Sequence, residues 1–531
     1  MTCYCLYGPP AAGKSTLGRA LAQTWGLPFV DLDTAIAARA GRTIPEIFAQ
    51  EGEAAFRQWE TAVLEDVLRR PGETVVALGG GALLDPRNRA LAEAHGQIVV
   101  LEAAAETLQQ RAEQARGERP LLEDATSAAR GQRLQALLQA RGAHYRSFPQ
   151  RLRTDTRSLE ETLWQAQILF GRFHLRGMTS PWAPQGYAVR VRPGLRKHVG
   201  AWLRQADLRG PIALVSDQRV AALHAQAVQE ALTAAGYPVR LLTFPAGEAH
   251  KNPTTLQRLW SEFLEAGLER GSTVVALGGG VVGDVAGFAA ATYMRGIAWV
   301  NLPTTLLAMT DAGLGGKTGV DLPAGKNLAG AFHPPRLVLA DPDVLATLPT
   351  EEFRNGMAEV VKHGVIGDPD LFALAARGDR QAMTDHVAQA MAVKIRVIEA
   401  DPYEGGLRAA LNLGHTIGHG VEAASAFRLR HGEAVAIGMV AEAHLAERLG
   451  LAAPGLAQTI AAALQAWQLP TAIPADLSPQ AIWRAMRHDK KKSSGQLRFA
   501  LPVDIGRVQV GVTVPEDLVK SILNNLQAEA R

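Results

Sequence analysis

The 531 residues carry 55 Lys+Arg against 52 Asp+Glu and only two cysteines. That length allows about three or four domains, the near-neutral balance gives no case for nucleic acid, and two thiols exclude a disulfide framework or a cysteine zinc site. No apolar run approaches the ~20 residues of a membrane helix, and the start MTCYCLYGPP lacks the basic and long apolar regions of a signal peptide, so a cytoplasmic protein acting on anionic small molecules is expected.

In chain order, CYCLYG predicts a strand and GKSTLGRALAQTWG a helix, followed by strands at PFVDLD, TVVALGG and GQIVVLEA. This βαβ rhythm predicts a parallel sheet with helices on both faces. Cys3 and Cys5 are read as alternating strand residues on opposite faces, and therefore unpaired. The rhythm closes on the helical stretch LEETLWQAQILFGRF. HLRGMTSPWAPQG, rich in Gly, Pro and Ser, then reads as a linker over 173–186. A second α/β pattern starts near Tyr187, with strands at GPIALVSD, YPVRLLTFP, STVVALGGG, AWVNLP and RLVLAD. Beyond Leu348 the chain reads as helix after helix, with one strand-like stretch, QLRFALPV. The expected division is 1–172, 173–186, 187–348 and 349–531. VVALGGG occurs at Val75–Gly81 and at Val274–Gly280, but the similarity stops at once beyond it, so the two are read as independent strand-to-glycine turns.

Gly8-Pro-Pro-Ala-Ala-Gly13-Lys14-Ser15-Thr16 fits G-x-x-x-x-G-K-[ST] between a strand and a helix, which is the context of a P-loop. Its backbone N–H groups wrap phosphates, Lys14 reaches the β/γ-phosphates and Ser15 can meet Mg²⁺. FVDLD places Asp31 and Asp33 at a strand end, both on one face by the two-residue period. Arg57, the glycines Gly79, Gly80 and Gly81, Arg119 in GERPLL and Arg141 follow.

This constellation resembles shikimate kinase over residues 1–172. The resemblance implies a shikimate pocket of Asp33, Arg57, Gly79, Gly80, Gly81 and Arg141. Asp33 would be the base for the accepting hydroxyl, and the arginines would clamp the carboxylate. Asp31 would join Ser15 at Mg²⁺, Arg119 would meet the transferring phosphoryl group of ATP, and Arg111 would lie near adenine. Gluconate or adenylate kinases are the rival reading, and would not be expected to combine this set.

The second part is denser. Glu248 and Lys251 lie in FPAGEAHKN, and Gly279, Gly280, Asp284 and Arg295 in ALGGGVVGDVAGFAAATYMRG, a glycine turn after an apolar strand as a dinucleotide site requires. Asp311, Lys317, Lys326 and Asn327 crowd one Gly/Thr-rich stretch, and Glu359 and Lys362 stand about one helical turn apart. His415 and His419 are i,i+4 on a helix, with His431 further on. A carboxylate and two imidazoles suit a catalytic divalent metal, and spacing alone leaves His415–His419 as a possible ligand pair.

These residues resemble 3-dehydroquinate synthase over 187–531. The fold class implied for the chain is α/β: a P-loop parallel-sheet domain, a Rossmann-type NAD-binding domain and a mainly helical metal-binding domain. The resemblance implies Glu359, His415 and His431 as ligands to Zn²⁺ or Co²⁺, with His419 on the substrate side. It implies NAD contacts at Asp217, Glu248, Lys251, Gly279, Gly280, Asp284, Thr304, Thr305, Leu307, Thr347 and Leu348. Asp311 and Lys362 would lie near the hydroxyl that is oxidised. Lys317, Lys326, Asn327, Lys394, Arg408, Asn412 and a lysine of the Lys490–Lys491 pair would anchor the carboxylate and phosphate of a heptulosonate phosphate. Arg295 would reach into a neighbouring subunit, implying a homodimer. The implied reaction is phosphate elimination and ring closure with NAD recycled. A glycerol-dehydrogenase-like enzyme, another sugar-phosphate cyclase, or a fusion with one silent half are the rivals.

Overall fold

The computed structural model describes residues 3–114, 127–490 and 497–528, which divide into two compact units, Met1–Arg172 and Phe173–Arg531. The first holds a five-stranded sheet of β1 (Cys3–Tyr7), β2 (Phe29–Asp31), β3 (Thr74–Ala77), β4 (Gly96–Glu102) and β5 (Arg151–Arg153), in the order β2-β3-β1-β4-β5. All neighbours pair in parallel. Both faces are covered, which is why its strands are apolar on both sides. Along β1, Cys3, Cys5 and Tyr7 enter one core, and Tyr4 and Leu6 enter the other.

That alternation corrects the reading of the two cysteines. Residues two apart on a strand share a face, and Cys3 and Cys5 lie in the same core, both free and buried. Two strand steps set them ~6.6 Å apart, near the upper end of the separations a disulfide bridges.

The second unit is built on a seven-stranded sheet: β6 (Arg172–Leu175), β7 (Tyr187–Val191), β8 (Ile212–Asp217), β9 (Val239–Phe244), β10 (Thr273–Gly278), β11 (Ala298–Pro303) and β14 (Leu337–Ala340), in the order β6-β7-β14-β11-β10-β8-β9. From β7 to β9 every pairing is parallel. The expected linker is therefore partly sheet. β6 begins at Arg172, and Phe173 and Leu175 are buried. Four residues beside a Gly/Pro-rich run are too short to stand out as a strand. Between β11 and β14, β12 (Lys317–Leu322) and β13 (Gly325–Phe332) form an antiparallel hairpin that the Gly/Thr-rich sequence did not suggest.

Beyond Leu348 the chain is mainly helical, and the strand-like stretch QLRFALPV opens a second hairpin, β15 (Arg498–Asp504) with β16 (Arg507–Thr513). The two VVALGGG strings lie in different sheets. The second runs into the helix Gly280–Thr292, whereas the first runs into a turn ahead of the helix Pro86–His95. Among the described residues no helix is long and apolar enough to cross a membrane.

Candidate active sites

In the first unit β1 leads through the glycine loop into the helix Lys14–Trp25. Gly13 has φ +94° and offers no side-chain cap, which leaves the first N–H groups of that helix for an anion. Lys14 Nζ folds back over the loop and donates to the carbonyls of Gly8 and Pro9, both at 2.9 Å. Ser15 Oγ donates to Asp31 Oδ2 at 2.6 Å, bringing together the two groups expected on Mg²⁺, and Thr16 is exposed beside them.

Asp31 and Asp33 do not share a strand face. β2 stops at Asp31, whose carboxylate accepts the N–H of Thr34 and starts the helix Leu32–Ala40, so Asp33 falls in its first turn. Side chains step ~100° in a helix rather than 180° in a strand, which separates the two acids. Asp33 instead meets the glycine turn. A Cβ on Gly79 would lie 3.0 Å from Asp33 Oδ1 and 3.1 Å from Glu60 Oε1. One on Gly81 would lie 3.0 Å from both terminal nitrogens of Arg57 and 3.2 Å from Arg141 Nη1. An acid and two guanidinium groups thus close around a backbone that only glycine leaves open. Gly80 O accepts from Tyr145 Oη at 2.7 Å and from Arg141 Nη1 at 3.3 Å.

Glu60, which the sequence reading passed over, accepts from Arg57 Nη1 at 2.6 Å. Its signal was present in the i,i+3 spacing from Arg57. Arg111 donates to Thr154 Oγ1 at 2.9 Å and to Thr154 O at 2.7 Å, while Thr154 Oγ1 donates to Ala12 O in the phosphate loop at 3.1 Å. Arg119 lies outside the described residues.

The second unit has a cleft of about 1790 Å³ where the carboxyl ends of β8, β10 and β11 face the helical half. Asp217, Glu248, Lys251, Gly279, Gly280, Asp284, Thr304, Thr305, Leu307, Thr347 and Leu348 all line it, as do Asp311, Lys326, Asn327, Asn412, His415, His419 and His431. Lys251 Nζ donates to Asp284 Oδ2 and to Asn327 Oδ1, each at 2.5 Å. Asn327, expected among the substrate anchors, is therefore bonded to a lysine expected at NAD. Burial pushes the Asp284 carboxyl up to about 6 against the pull of Lys251. The buried Thr304 hydroxyl has no protein partner among the described residues, which fits a polar ligand in that arm of the cleft.

At the other arm, one ligand atom from each of Glu359, His415 and His431 lies within 4.8 Å of the others. The Nε2 atoms of His415 and His431 stand 3.7 and 3.6 Å from Glu359 Oε1. That oxygen is buried and accepts no hydrogen bond from the described residues. His415 Nδ1 lies 3.0 Å from Leu413 O, and His431 Nδ1 lies 3.5 Å from Glu422 Oε2. Backbone and carboxylate partners on Nδ1 fix each ring with Nε2 free for an ion. An orphaned buried carboxylate oxygen facing two oriented imidazoles fits a divalent metal. His419, Glu422 and His431 form an overlapping group, in which His419 is exposed. Burial drives the His415 pKa down to about 3. Burial disfavours the charged form of His431, but the negative charges of Glu359 and Glu422 outweigh it and push its pKa up to about 9.

Lys362 and Lys394 stand beside this centre. Lys362 pairs with Glu359 and donates to Leu411 O at 2.9 Å. Lys394 Nζ donates to Asp311 Oδ1 at 2.5 Å, and although burial opposes it, this cation keeps Asp311 below the usual carboxylate range. Arg408 is buried and donates to Pro402 O at 2.6 Å. Lys317 is exposed and pairs with Glu404, and Lys326 pairs with Glu422 at 3.4 Å. Arg295 is exposed, outside the cleft lining, with φ +70°. The side chain of Lys490 and all of Lys491 lie outside the described residues. Glu404 and Glu422 were not anticipated, since nothing local ties them to lysines 87 and 96 residues away.

Comparison with known proteins adds to this geometry. The family model for shikimate kinase matches residues 10–169, and those for the N- and C-terminal parts of 3-dehydroquinate synthase match 241–355 and 356–492. The 3-dehydroquinate synthase of Nostoc punctiforme is 45% identical over 352 residues, covering 64% of this chain and 97% of that protein. A solved 2-deoxy-scyllo-inosose synthase, complexed with carbaglucose-6-phosphate, NAD⁺ and Co²⁺, is 27% identical with a TM-score of 0.60, over 67% of this chain and 99% of that one. The 2-epi-5-epi-valiolone synthase of Streptomyces hygroscopicus subsp. jinggangensis, with NAD⁺ and Zn²⁺ bound, is 30% identical with a TM-score of 0.60, over 66% and 99%.

Proposed function

We propose that this chain, which belongs to the 3-dehydroquinate synthase family and carries a shikimate kinase domain ahead of it, catalyses two reactions of one pathway. Residues 1–172 phosphorylate the 3-hydroxyl of shikimate from ATP–Mg²⁺. The synthase, in lobes 187–348 and 349–531, converts 3-deoxy-D-arabino-heptulosonate 7-phosphate to 3-dehydroquinate and phosphate.

In the kinase, Arg57 and Arg141 hold the shikimate carboxylate above Gly79–Gly81, and Asp33 takes the proton of the accepting hydroxyl. Gly8, Gly13, Lys14 and Thr16 cradle the nucleotide, Ser15 and Asp31 hold Mg²⁺, Arg119 meets the phosphoryl group and Arg111 lies near adenine. In the synthase, Glu359, His415 and His431 hold Zn²⁺ or Co²⁺, and the residues from Asp217 to Leu348 on the opposite arm hold NAD. A metal held there would supply a Lewis acid for a substrate hydroxyl, and NAD would supply a reversible hydride acceptor. Asp311 and Lys362 flank that hydroxyl, and His419 faces the substrate phosphate. Lys317, Lys326, Asn327, Lys394, Arg408, Asn412 and the Lys490–Lys491 pair neutralise the substrate's anionic groups, a task that needs several fixed cations. Arg295 completes the site of a second copy, so the working form is a cytoplasmic homodimer.

The observation that carries the synthase reading is the orphaned Glu359 carboxylate oxygen between two oriented imidazoles, beside a cleft of about 1790 Å³. For the kinase it is the closure of Asp33, Arg57 and Arg141 on three glycines. A paired assay of both reactions, with and without chelator, tests the whole. Accumulation of NADH with substrate would sink the synthase reading in favour of a dehydrogenase.

A further inference from the structure

Both imidazoles assigned to the metal are first residues of helices, His415 of His415–Ala424 and His431 of His431–Arg448. A helix start needs an acceptor for its orphan N–H groups. Gly414 has no side chain to offer, and the guanidinium of Arg430 only donates. The acceptors arrive instead from a neighbouring ligand-bearing helix. Glu442, three turns along the helix that His431 begins, accepts from the Gly414 N–H at 2.5 Å and the Ile417 N–H at 3.3 Å, one with each oxygen. Asn355, one turn before Glu359 in the helix Thr350–Gly367, accepts through Oδ1 from the Gly432 N–H at 2.5 Å.

Both side chains are buried, Glu442 completely. An apolar residue would fill either space without the penalty of burying a polar group. What these two residues add is location: each fixes the backbone directly beside a ligand histidine. The helices that start at His415 and His431 also meet backbone to backbone, with Gly438 so close to Gly414 that a Cβ on it would lie 2.0 Å from Gly414 O.

We infer that Asn355 and Glu442 are positioning residues of the metal centre. They form a chain of caps from the Glu359 helix to the His431 helix, and from there to the His415 helix. The three ligand atoms are thereby set before an ion arrives, and preorganisation of that kind raises affinity. Neither belongs to the ligand group of Glu359, His415 and His431. The inference rests on the metal reading proposed above.

The test uses the full chain carrying Asn355→Ala, Asn355→Asp or Glu442→Gln, stripped with chelator and titrated with Co²⁺. Visible absorption of bound Co²⁺ reports ligand geometry, and competition with a chromophoric chelator gives the affinity. Asn355→Ala should weaken Co²⁺ binding by about 10- to 100-fold, and Glu442→Gln, which loses one of two acceptors, by about tenfold. Both should shift the Co²⁺ band. Asn355→Asp keeps the acceptor and should stay within about threefold of the parent on the same scale. NAD affinity and shikimate phosphorylation should not move in any variant. Parental affinity and spectrum in both Asn355→Ala and Glu442→Gln would overturn the inference. So would a parallel loss of metal, NAD and thermal stability in all three variants, which would mark a packing role only. Failure of the parent protein itself to bind Co²⁺ would overturn the metal reading instead.

Discussion

Replacing Gly438 by alanine tests how much of the proposed metal centre is set by helix contact. The new Cβ would lie 2.0 Å from Gly414 O and 2.9 Å from both Gly414 C and Gly418 N. A carbon and a carbonyl oxygen rest at ~3.3 Å, so the backbones must part by about 1.3 Å. Only backbone is in the way, so no side chain can swing aside. His415 follows Gly414 directly and moves with it. Its Nε2 now lies 3.7 Å from Glu359 Oε1, inside the ~4.2 Å that two ligands of one zinc can span at ~2.1 Å each. Lengthened by the same shift, that gap becomes about 5.0 Å and the third ligand is lost. Metal affinity should fall by about 100-fold or more, read by chelator competition on the stripped protein. Synthase activity should then return only at raised metal concentration, while shikimate phosphorylation in the same sample stays at the parental rate and confirms folding of the first unit. A folded Gly438→Ala protein with parental metal affinity would refute the reasoning.

The remaining tests separate the two sites and their chemistry. Lys14→Ala should abolish shikimate phosphorylation and leave dehydroquinate formation intact, and His431→Ala should do the reverse; a folded variant that silenced both would contradict two independent sites. Gly81→Ala pushes a methyl group against Arg57 and Arg141, so the KM for shikimate should rise about tenfold or more, a 1.4 kcal/mol loss, with the KM for ATP unchanged. Asp284 gives the pH test, because its carboxyl sits at about 6 in the fold and at ~3.9 in an unfolded chain. Ionised Asp284 therefore opposes folding: the cost is absent below pH ~4, grows between ~4 and ~6, and is complete above that, reaching at most ~3 kcal/mol. Asp284→Asn removes this titration, so its effect on stability should be more favourable at pH 7.5 than at pH 5 by about 1.4 kcal/mol, on top of a constant cost for unpairing Lys251, and the variant should bind NAD less well. An equal effect at both pH values would show that burial of the charge is not the cause.

What could be read without coordinates was local. The phosphate loop is nine contiguous residues, and its chemistry depends on backbone that those residues shape themselves, so Gly8 to Thr16 were legible at once. The alternation of unbroken apolar runs such as VVALG with helical stretches predicted both parallel sheets, because a strand buried on two faces must be apolar on both. The same local rule, misapplied, put Cys3 and Cys5 on opposite faces. Applied past the end of β2, it put Asp31 and Asp33 on one face when a helix had already begun. The four residues of β6 were too few for a period to register, and the glycines of β12 and β13 masked the strand pattern of that hairpin.

The sequence by itself determined the residue types: a P-loop, a glycine turn after an apolar strand, three histidines and a glutamate among many lysines. Only the tertiary structure decided which of these meet. Glu359 reaches His415 and His431 across 56 and 72 positions of chain, and Asn355 and Glu442 cap helix starts 77 and 28 positions away. No periodicity spans such distances. The helices of the second unit close on glycine contacts, and that closure turns scattered donors into one centre.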